Sequence, residues 1–352
     1  MNPPFETWIQ TGSDRQLATL WDGFGSITSR LYTTKDAASL ISGASASTQI
    51  PTIVKRIQPP SPSKRRLTAH RSTPNESFAR KMVSYKVERY VYETLLSAET
   101  RLLFRTAQVY SFTSDSIIME DLSALFPLPM DECCDRASVK GMLRWLALFH
   151  AWFWGRTRDM PKRNVWSGAK GVWERGCYWE LETRGAEFSV LSDDWKRIGR
   201  EVHAMLERVP AQFLTLCHGD AKTENCLVRK EVEGDSESNE VAMFDFQYVG
   251  VGVGMKDVVY LLCTSGFGMT RDIEEEMLQW YFECLQDGLK KRTATVDDGT
   301  ISIWELFTRE VMMDHYELCM IDWLRFMLGW GLWGDSGYVK ERVAEILKKR
   351  DI

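Results

Sequence analysis

The strongest constraint on this 352-residue chain is an octapeptide, His-Gly-Asp-Ala-Lys-Thr-Glu-Asn, at residues 218–225. A short apolar run that is typical of a strand precedes it at 213–216. A second such run, at 241–244, leads into the tripeptide Asp-Phe-Gln at 245–247. Each polar motif therefore follows a predicted strand, and chance rarely produces the two in this order and spacing. We expect the fold to bring the side chains of the two motifs together.

The residue types in these motifs are those that phosphoryl transfer requires. An Asp, an Asn five residues later and a strand ending in another Asp form the layout of a kinase catalytic loop with its metal-binding Asp. Asp220 is the candidate base for the proton of an attacking hydroxyl. The oxygens of Asn225 and Asp245 suit Mg²⁺, and the charge of Lys222 could reach the transferred phosphate. Because Asp220 fills the base position, we predict that His218 holds the loop by packing and hydrogen bonding.

A further acidic residue, Asp257, follows the glycine-rich segment 250–254 and opens an apolar run. Two structural roles suit this position. Asp257 could cap the helix that the apolar run predicts, or its carboxylate could brace the catalytic loop.

Bulk composition is that of an ordinary globular protein, with 44% hydrophobic and 26% charged residues. The net charge of −5 gives no basic field for nucleic acid, and no apolar run reaches the ~18–20 residues of a membrane span. The eight cysteines lack the Cys-x-x-Cys spacing of a zinc site. With no secretory signal at the N-terminus, these features predict a cytoplasmic protein with reduced thiols, no nucleic-acid partner and no membrane span.

The chain changes in texture near Asp121. Before this residue, the patterns predict strands and one helix: a glycine-turn hairpin at 20–32, strands at 50–57, 107–112 and 116–119, and a helix at 76–97. The segments 35–49 and 59–75 predict a hairpin tip and an exposed proline-rich loop. After Asp121, long helical patterns dominate, most clearly at 137–154. The sequence therefore predicts an α+β protein with a nucleotide-binding lobe at 1–121 and a catalytic, acceptor-binding lobe at 122–352.

Taken together, the motifs resemble those of the aminoglycoside phosphotransferase and choline kinase-like superfamily, in the subgroup of ecdysteroid kinase-like proteins. The resemblance covers about residues 21–333 and is carried by the motifs at 218–225, 245–247, 119–122 and 148–151, together with Asp257. It implies a bilobal, protein-kinase-like fold. It also implies ATP-dependent transfer of the γ-phosphate to a hydroxyl of a small-molecule acceptor, with ATP and Mg²⁺ as cofactors.

The resemblance also implies which residues bind the nucleotide. The segment Met119-Glu120-Asp121-Leu122 would hold adenine through its backbone, and Gly23, Gly25 and Ser26 would form a short loop over the phosphates. Lys55 matches the lysine that contacts the α- and β-phosphates, and Glu88 matches its helix partner. Glu93 is the alternative partner, but Glu88 shares one helix face with Tyr92 and Leu95. Lys222 departs from the subgroup, because it is the residue that protein kinases have at that point.

The acceptor is not determined by the sequence. Many tryptophans occur in the second half, and they either form the core or line a pocket for an apolar or cationic alcohol. Two other function classes are a nucleotide-binding scaffold without turnover and an atypical protein kinase. The intact catalytic set disfavours the scaffold, and the lack of an Ala-Pro-Glu signature after the Asp-Phe-Gln motif disfavours the protein kinase.

Overall fold

The computed structural model describes residues 5–20, 23–35, 47–60, 74–230, 237–293 and 302–352. Its strands are β1 (Ile9–Thr19), β2 (Gly25–Lys35), β3 (Ser47–Ile57), β4 (Val109–Phe112), β5 (Ser116–Glu120), β6 (Leu128–Pro129), β7 (Lys162–Arg163), β8 (Val172–Trp173), β9 (Thr215–Cys217), β10 (Cys226–Arg229), β11 (Glu240–Met243) and β12 (Gly250–Gly252). Its α-helices are α1 (Pro74–Tyr90), α2 (Ala98–Leu103), α3 (Arg136–Phe153), α4 (Gly185–Ser189), α5 (Asp193–Glu207), α6 (Met255–Thr264), α7 (Arg271–Thr293), α8 (Ile303–Leu306), α9 (Arg309–Trp330) and α10 (Ser336–Arg350).

Two compact units make up the described chain, one within 1–68 and 106–127 and the other within 69–105 and 128–352. The first unit contains an antiparallel sheet of five strands in the order β1-β2-β3-β5-β4. The second unit is mainly helical, with short strands around the predicted catalytic loop. The predicted α+β, bilobal fold class is therefore confirmed.

One face of the first sheet packs on an aromatic and aliphatic cluster. Its buried members are Trp8, Tyr32, Ile50, Val54 and Ile118, and the rings of Phe5 and Tyr110 pack against them. Because successive strand residues point to opposite faces, Lys55 leaves the sheet on the face opposite Val54. Lys55 is only 5% exposed and lies in register between β2 and β5.

The predicted glycine turn connects β1 to β2. Gly23 and Gly25 both have positive φ, at 72° and 137°. At Gly25 a Cβ atom would lie 2.0 Å from the carbonyl oxygen of Arg56, so only glycine fits there. Ser26 pairs with Arg56 in the sheet, and the side chain of Phe24 is buried. The hairpin prediction is confirmed, whereas the first strand at Ile9–Thr19 was not predicted.

The segment predicted as a hinge closes β5. The Asp121 side chain accepts a hydrogen bond from the Ser123 N–H at 3.0 Å and caps a 3₁₀ turn at Leu122–Ala124. The N–H groups of Glu120 and Asp121 donate to the carbonyls of Gln108 (2.8 Å) and Pro51 (3.3 Å). The backbone of this segment is therefore fixed within the first unit.

Helix α3 shows why the second unit folds as it does. Asp135 caps its first turn by accepting from the Ser138 N–H at 2.8 Å. Its buried residues recur at helical spacing, as at Val139, Met142 and Leu146, and the helix also packs against α7, where Trp280 donates to the carbonyl of Lys140 at 2.9 Å. Helix α6 is buried at each residue from 255 to 263, so it forms the centre of this unit.

Helix α1 differs from its predicted place. The sequence predicts it as the single helix of the first lobe, but most of its contacts are with residues of the second unit. It spans Pro74–Tyr90 and continues as a π-helical turn at Val91–Leu95. Much of the predicted hairpin tip at 35–49 and of the loop at 59–75 lies outside the described residues. Among those that are described, no helix combines the length and the apolar character needed to cross a membrane.

Candidate active site

The predicted catalytic loop begins where β9 ends and turns sharply at Gly219. The φ of this residue is 83°, and a Cβ atom on it would lie 2.2 Å from the carbonyl oxygen of Tyr248. Only glycine combines this left-handed backbone with so close an approach. The carbonyl of Gly219 in turn accepts a hydrogen bond from the Tyr178 N–H at 2.7 Å. The backbone just before Asp220 is therefore held on two sides.

The carboxylate of Asp257 braces this loop. It accepts hydrogen bonds from the N–H groups of His218 (2.6 Å) and Gly219 (2.8 Å), and its Oδ2 lies 3.0 Å from His150 Nε2. The other ring nitrogen of His150 lies 2.8 Å from the hydroxyl of Tyr281. All of these groups are buried. Of the two roles predicted for Asp257, the structure shows the brace, and it adds His150 and Tyr281 as its support.

His218 packs inside the loop, as predicted. Its Nε2 lies 3.1 Å from the carbonyl oxygen of Phe244, and its ring contacts those of Phe246 and Trp145. Burial lowers the pKa of His218, so the ring is neutral at physiological pH. A neutral ring donating to a carbonyl anchors the loop to the end of β11.

Asp220 and Asn225 are joined directly. The side-chain amide of Asn225 donates to the backbone carbonyl of Asp220 at 2.9 Å and to its Oδ2 at 3.1 Å. Both side chains are buried. Because the amide NH₂ group is used on Asp220, the amide oxygen of Asn225 faces away from that residue.

The β10–β11 hairpin places Asn225 and Asp245 at the same end. Cys226 pairs with Met243, and the Phe244 N–H donates to the carbonyl of Asn225 at 3.2 Å. Asp245 has a φ of 66°, an uncommon conformation for a residue other than glycine. The structure therefore brings together Asp220, Asn225 and Asp245, as the sequence predicts.

Gln247 links Asp245 to helix α1, a connection that sequence reasoning missed. Its Nε2 donates to Asp245 Oδ1 at 2.5 Å. Its Oε1 accepts from Lys81 Nζ at 3.0 Å and from Ser84 Oγ at 2.9 Å. The spacing of Lys81 and Ser84 on one helix face was visible in the sequence, but nothing indicated which surface that face meets. The chain thus orients Asp245 through a glutamine held by α1.

Helix α1 also places Glu88 in the interior. Glu88 is buried, whereas Glu93 is exposed and pairs with Arg89 at 2.7 Å. One turn after Glu88, the ring of Tyr92 packs edge-on against Phe246, with centroids 5.3 Å apart. Burial, and then the charge of Glu88, raises the pKa of Tyr92. Of the two glutamates considered as the partner of Lys55, only Glu88 therefore faces the interior of its unit.

Two further groups lie beside Asp220. Lys222 Nζ is 4.0 Å from Asp220 Oδ2, and that carboxylate raises the pKa of Lys222 against the opposing effect of burial. Tyr260 of α6 also lies near Asp220; burial, and then the Asp220 charge, hold the pKa of Tyr260 well above its ordinary value. Lys222 is therefore a cation and Tyr260 a neutral phenol at physiological pH. Sequence reasoning missed Tyr260 because it lies within an apolar run.

Three tryptophans surround Tyr260, because the rings of Trp179 and Trp323 lie 5.0 and 4.7 Å from its ring and Trp333 lies slightly farther away. Trp154, Trp179 and Trp323 are fully buried and belong to the core. Trp330 and Trp333 are partly exposed. The ring of Trp333 lies 6.2 Å from that of Tyr260.

Two acidic residues of this unit, Glu180 and Asp322, are paired in its interior, whereas Glu174 and Glu182 are exposed. Glu180 accepts from Lys256 Nζ at 2.8 Å, and Asp322 pairs with Arg325 at 2.7 Å. Although burial opposes it, Lys256 lowers the pKa of Glu180.

A second cluster could reach a metal ion by distance alone. The ligand atoms of Glu182, His203 and Glu207 lie within 4.8 Å of one another. Arg175 already pairs with both carboxylates, so their oxygens have a partner within the chain. We assign no metal to this cluster.

Comparison with known proteins agrees with the motifs. A sequence profile of the ecdysteroid kinase-like family matches residues 178–293, which contain the catalytic loop and the Asp-Phe-Gln motif. No curated protein gives a significant match to the chain.

Solved structures with a similar fold include three small-molecule kinases. The choline kinase of Cryptosporidium parvum has a TM-score of 0.49 at 10% identity, covering 98% of this chain and 90% of that one. The choline kinase of Streptococcus pneumoniae has a TM-score of 0.44 at 15% identity, covering 96% and 92%. The ethanolamine kinase of Plasmodium vivax has a TM-score of 0.43 at 13% identity, covering 97% and 82%. These similarities concern the overall fold alone. The predicted resemblance to the phosphotransferase superfamily that contains the ecdysteroid kinase-like proteins is confirmed over residues 178–293.

Proposed function

We propose that this protein is an ATP-dependent phosphotransferase that moves the γ-phosphate of ATP to a hydroxyl of a small-molecule acceptor. The observation that carries the proposal is the joining of three groups in one unit. Asn225 hydrogen-bonds to Asp220, and the β10–β11 hairpin holds Asn225 beside the start of the Asp-Phe-Gln motif. A carboxylate, an amide oxygen and a second carboxylate form the set that in-line phosphoryl transfer uses.

In the proposed reaction, the acceptor hydroxyl attacks the γ-phosphorus of ATP. A new P–O bond forms to the acceptor, the bond to the bridging oxygen of ADP breaks, and the hydroxyl proton passes to Asp220. The 4.0 Å separation of Lys222 and Asp220 lets the ammonium group compensate charge on the transferred phosphate. Asn225 donates to one oxygen of the Asp220 carboxylate, so that the other oxygen can face the acceptor.

The donor set fits Mg²⁺. The NH₂ group of Asn225 donates to Asp220, so the amide oxygen of Asn225 is left to bind a ligand. Gln247 orients the carboxylate of Asp245. Mg²⁺ prefers hard oxygen donors, and beside nucleotide phosphates it takes only a few ligands from the protein. When bound, the ion would neutralise charge on the phosphates beside Asp220 and Asp245.

Nucleotide recognition by the first unit is also proposed. Lys55 would contact the α- and β-phosphates, and its burial within the sheet supports a partner for its charge. Its pairing with Glu88 stays a prediction. Gly23, Gly25 and Ser26 would cover the phosphates, and residues 119–122 would hold adenine. The lobe boundary at Asp121 stays a prediction. So does the cytoplasmic location, which is supported by the eight free thiols.

The experiment is a search for product with a matched inactive control. Purified protein and MgATP are incubated with a metabolite extract, and small molecules that gain about 80 Da are sought by mass spectrometry, the mass of one phosphoryl group replacing a proton. The Asp220→Asn variant in the same extract is the control. We expect a phosphorylated product with the parent protein alone. Nucleotide binding without product, or phosphate on protein only, would contradict the proposal.

A further inference from the structure

Tyr178 lies directly beside the catalytic loop, and two arginines cover it. The guanidinium of Arg184 lies 3.9 Å from the centroid of its ring, and that of Arg80 lies 5.2 Å away. Both also donate to the carbonyl of Tyr178, Arg80 at 2.5 Å and Arg184 at 2.8 Å. The two side chains are 8% and 5% exposed. An aromatic surface next to Asp220 is therefore already occupied by cations of the chain itself.

Arg184 also lies over two neighbouring aromatic rings. Arg184 lies 4.9 Å from the ring of Trp330 and 5.4 Å from that of Phe326. A guanidinium that lies over an aromatic face excludes a ligand cation from that face, and its charge repels the cation. The sequence left open whether these aromatics bind a cationic alcohol. The placement of Arg184 argues against that reading.

The two arginines and the carboxylate beside them carry a net positive charge. Glu187 pairs with Arg184 at 3.3 Å, so one carboxylate faces two guanidiniums. Glu180 and Asp322 are committed to Lys256 and Arg325. Burial, and then the charge of Arg184, lowers the pKa of Arg80 to about 10, which leaves it protonated at physiological pH. One nitrogen of Arg184, Nη2, is buried without a hydrogen-bond partner, as is Oε2 of Glu187. A buried guanidinium nitrogen without an acceptor is costly, and a ligand oxygen would satisfy it.

The arginine pair is connected to the reacting groups through Tyr178 and Tyr248. The Tyr178 N–H donates to the carbonyl of Gly219, the residue before Asp220. The rings of Tyr178 and Tyr248 meet edge to face at 5.1 Å, and Arg80 lies 5.4 Å from the Tyr248 ring. The arginine pair therefore packs on the two tyrosines that contact the backbone of the catalytic loop.

We propose that the acceptor is an anionic alcohol: a hydroxylated molecule whose carboxylate, sulfate or phosphate group binds Arg184 and Arg80 while its hydroxyl reaches Asp220. The inference rests on the proposed phosphotransferase function and narrows its substrate class. The Nη2 group of Arg184 would donate to one oxygen of such an anion, and the charges of both arginines would attract it. A quaternary ammonium or amino alcohol would meet two like charges instead.

Inorganic sulfate is the probe for the anion site. The protein is saturated with MgAMP-PNP, so that the nucleotide phosphates fill their own site, and sulfate is titrated by calorimetry at constant ionic strength. Arg184→Gln should weaken sulfate binding at least tenfold, the loss expected for a charge-assisted hydrogen bond. Arg197→Gln removes an exposed arginine of α5 that pairs with Glu201, and it should leave sulfate binding unchanged. Choline chloride should not bind.

Arg184→Lys guards against a folding defect, because it keeps the charge and loses only the planar fork. It should bind sulfate with an affinity between those of the parent and Arg184→Gln, with an unchanged circular dichroism spectrum. Sulfate binding that is equal in all variants, or that disappears when the nucleotide is added, would overturn the anion site. Binding of choline to the loaded protein would overturn it as well.

A second measurement separates this inference from the proposed function. The metabolite extract is divided by ion exchange into cationic, neutral and anionic fractions, and each is incubated with MgATP and the protein. We expect the phosphorylated product from the anionic fraction. Product from the cationic or neutral fraction would overturn the inference and leave the phosphotransferase function standing. Product from no fraction would contradict the function itself, while the sulfate titration would still decide the anion site.

Discussion

Replacement of Asp257 by Asn tests how the catalytic loop is held. The carboxylate accepts from two backbone N–H groups, of His218 and Gly219, and lies 3.0 Å from His150 Nε2. Asparagine keeps the shape but has one acceptor oxygen and an NH₂ group. That NH₂ group must face at least one N–H donor, which is left buried without an acceptor.

The magnitude follows from these contacts. A hydrogen bond to a charged group contributes about 1.5–3 kcal/mol, and an unsatisfied buried donor costs about 1–3 kcal/mol. One bond lost and the others weakened by the missing charge give about 3 kcal/mol for Asp257→Asn. Tyr281→Phe is the matched control, since it removes only the hydroxyl beside His150 and should cost about 1 kcal/mol.

Urea unfolding followed by tryptophan fluorescence gives the free energies, and phosphotransfer is measured on the same preparations. Asp257→Asn should lose turnover as well as stability, because Asp220 directly follows the braced residues. The reasoning is refuted if Asp257→Asn unfolds within about 0.5 kcal/mol of the parent, or if Tyr281→Phe is the more damaging change.

Three other outcomes are expected. Gly219→Ala should abolish turnover and lower the free energy of unfolding by more than the ~1–2 kcal/mol that a left-handed alanine costs. Gly266→Ala is the control and should show that cost alone, because φ is 66° there and a Cβ meets nothing within 4 Å. Equal losses of unfolding free energy in the two variants would contradict this prediction. Burial lowers the pKa of His315 to about 4. The free energy of unfolding should therefore fall as pH drops from about 6.5 towards 4, because in this range His315 binds a proton in the unfolded chain but not in the folded one. The loss is about 3 kcal/mol at most, and His315→Phe should flatten that part of the urea-unfolding profile, so an unchanged profile would refute it. Asp245→Ala should lower turnover more than Lys222→Ala, and activity removed by a chelator should return with Mg²⁺ or Mn²⁺; full turnover in excess chelator would contradict the metal assignment.

The catalytic loop could be predicted because its chemistry is local in sequence. Asp220, Lys222 and Asn225 lie within six residues, and the strands on either side have apolar patterns. Strand β1 could not, because most of its side chains are exposed and its pairing with β2 has two irregular register shifts. An exposed edge strand has no apolar alternation to recognise.

The arginine pair was not predictable for a different reason. Arg80 contacts a carbonyl 98 positions away in the chain, and Lys256 pairs with a glutamate 76 positions away. Only the tertiary fold decides which of many charged residues meet. The same applies to Tyr260, which lies within an apolar run and which only the fold brings near Asp220. Sequence patterns identify the reacting groups, whereas the surroundings that select an acceptor depend on packing.

The most direct test of the central claim is the rate of phosphotransfer by Asp220→Asn on the acceptor found in the extract. The substitution keeps the shape of the side chain and removes the proton acceptor. Transfer from MgATP should fall by about 10²–10⁴-fold, the usual contribution of a general base, while the dissociation constant for MgATP stays within about twofold, because Asp220 contributes no nucleotide contact in this account. Turnover equal to that of the parent, with MgATP binding intact, would contradict the assignment of Asp220 as the base.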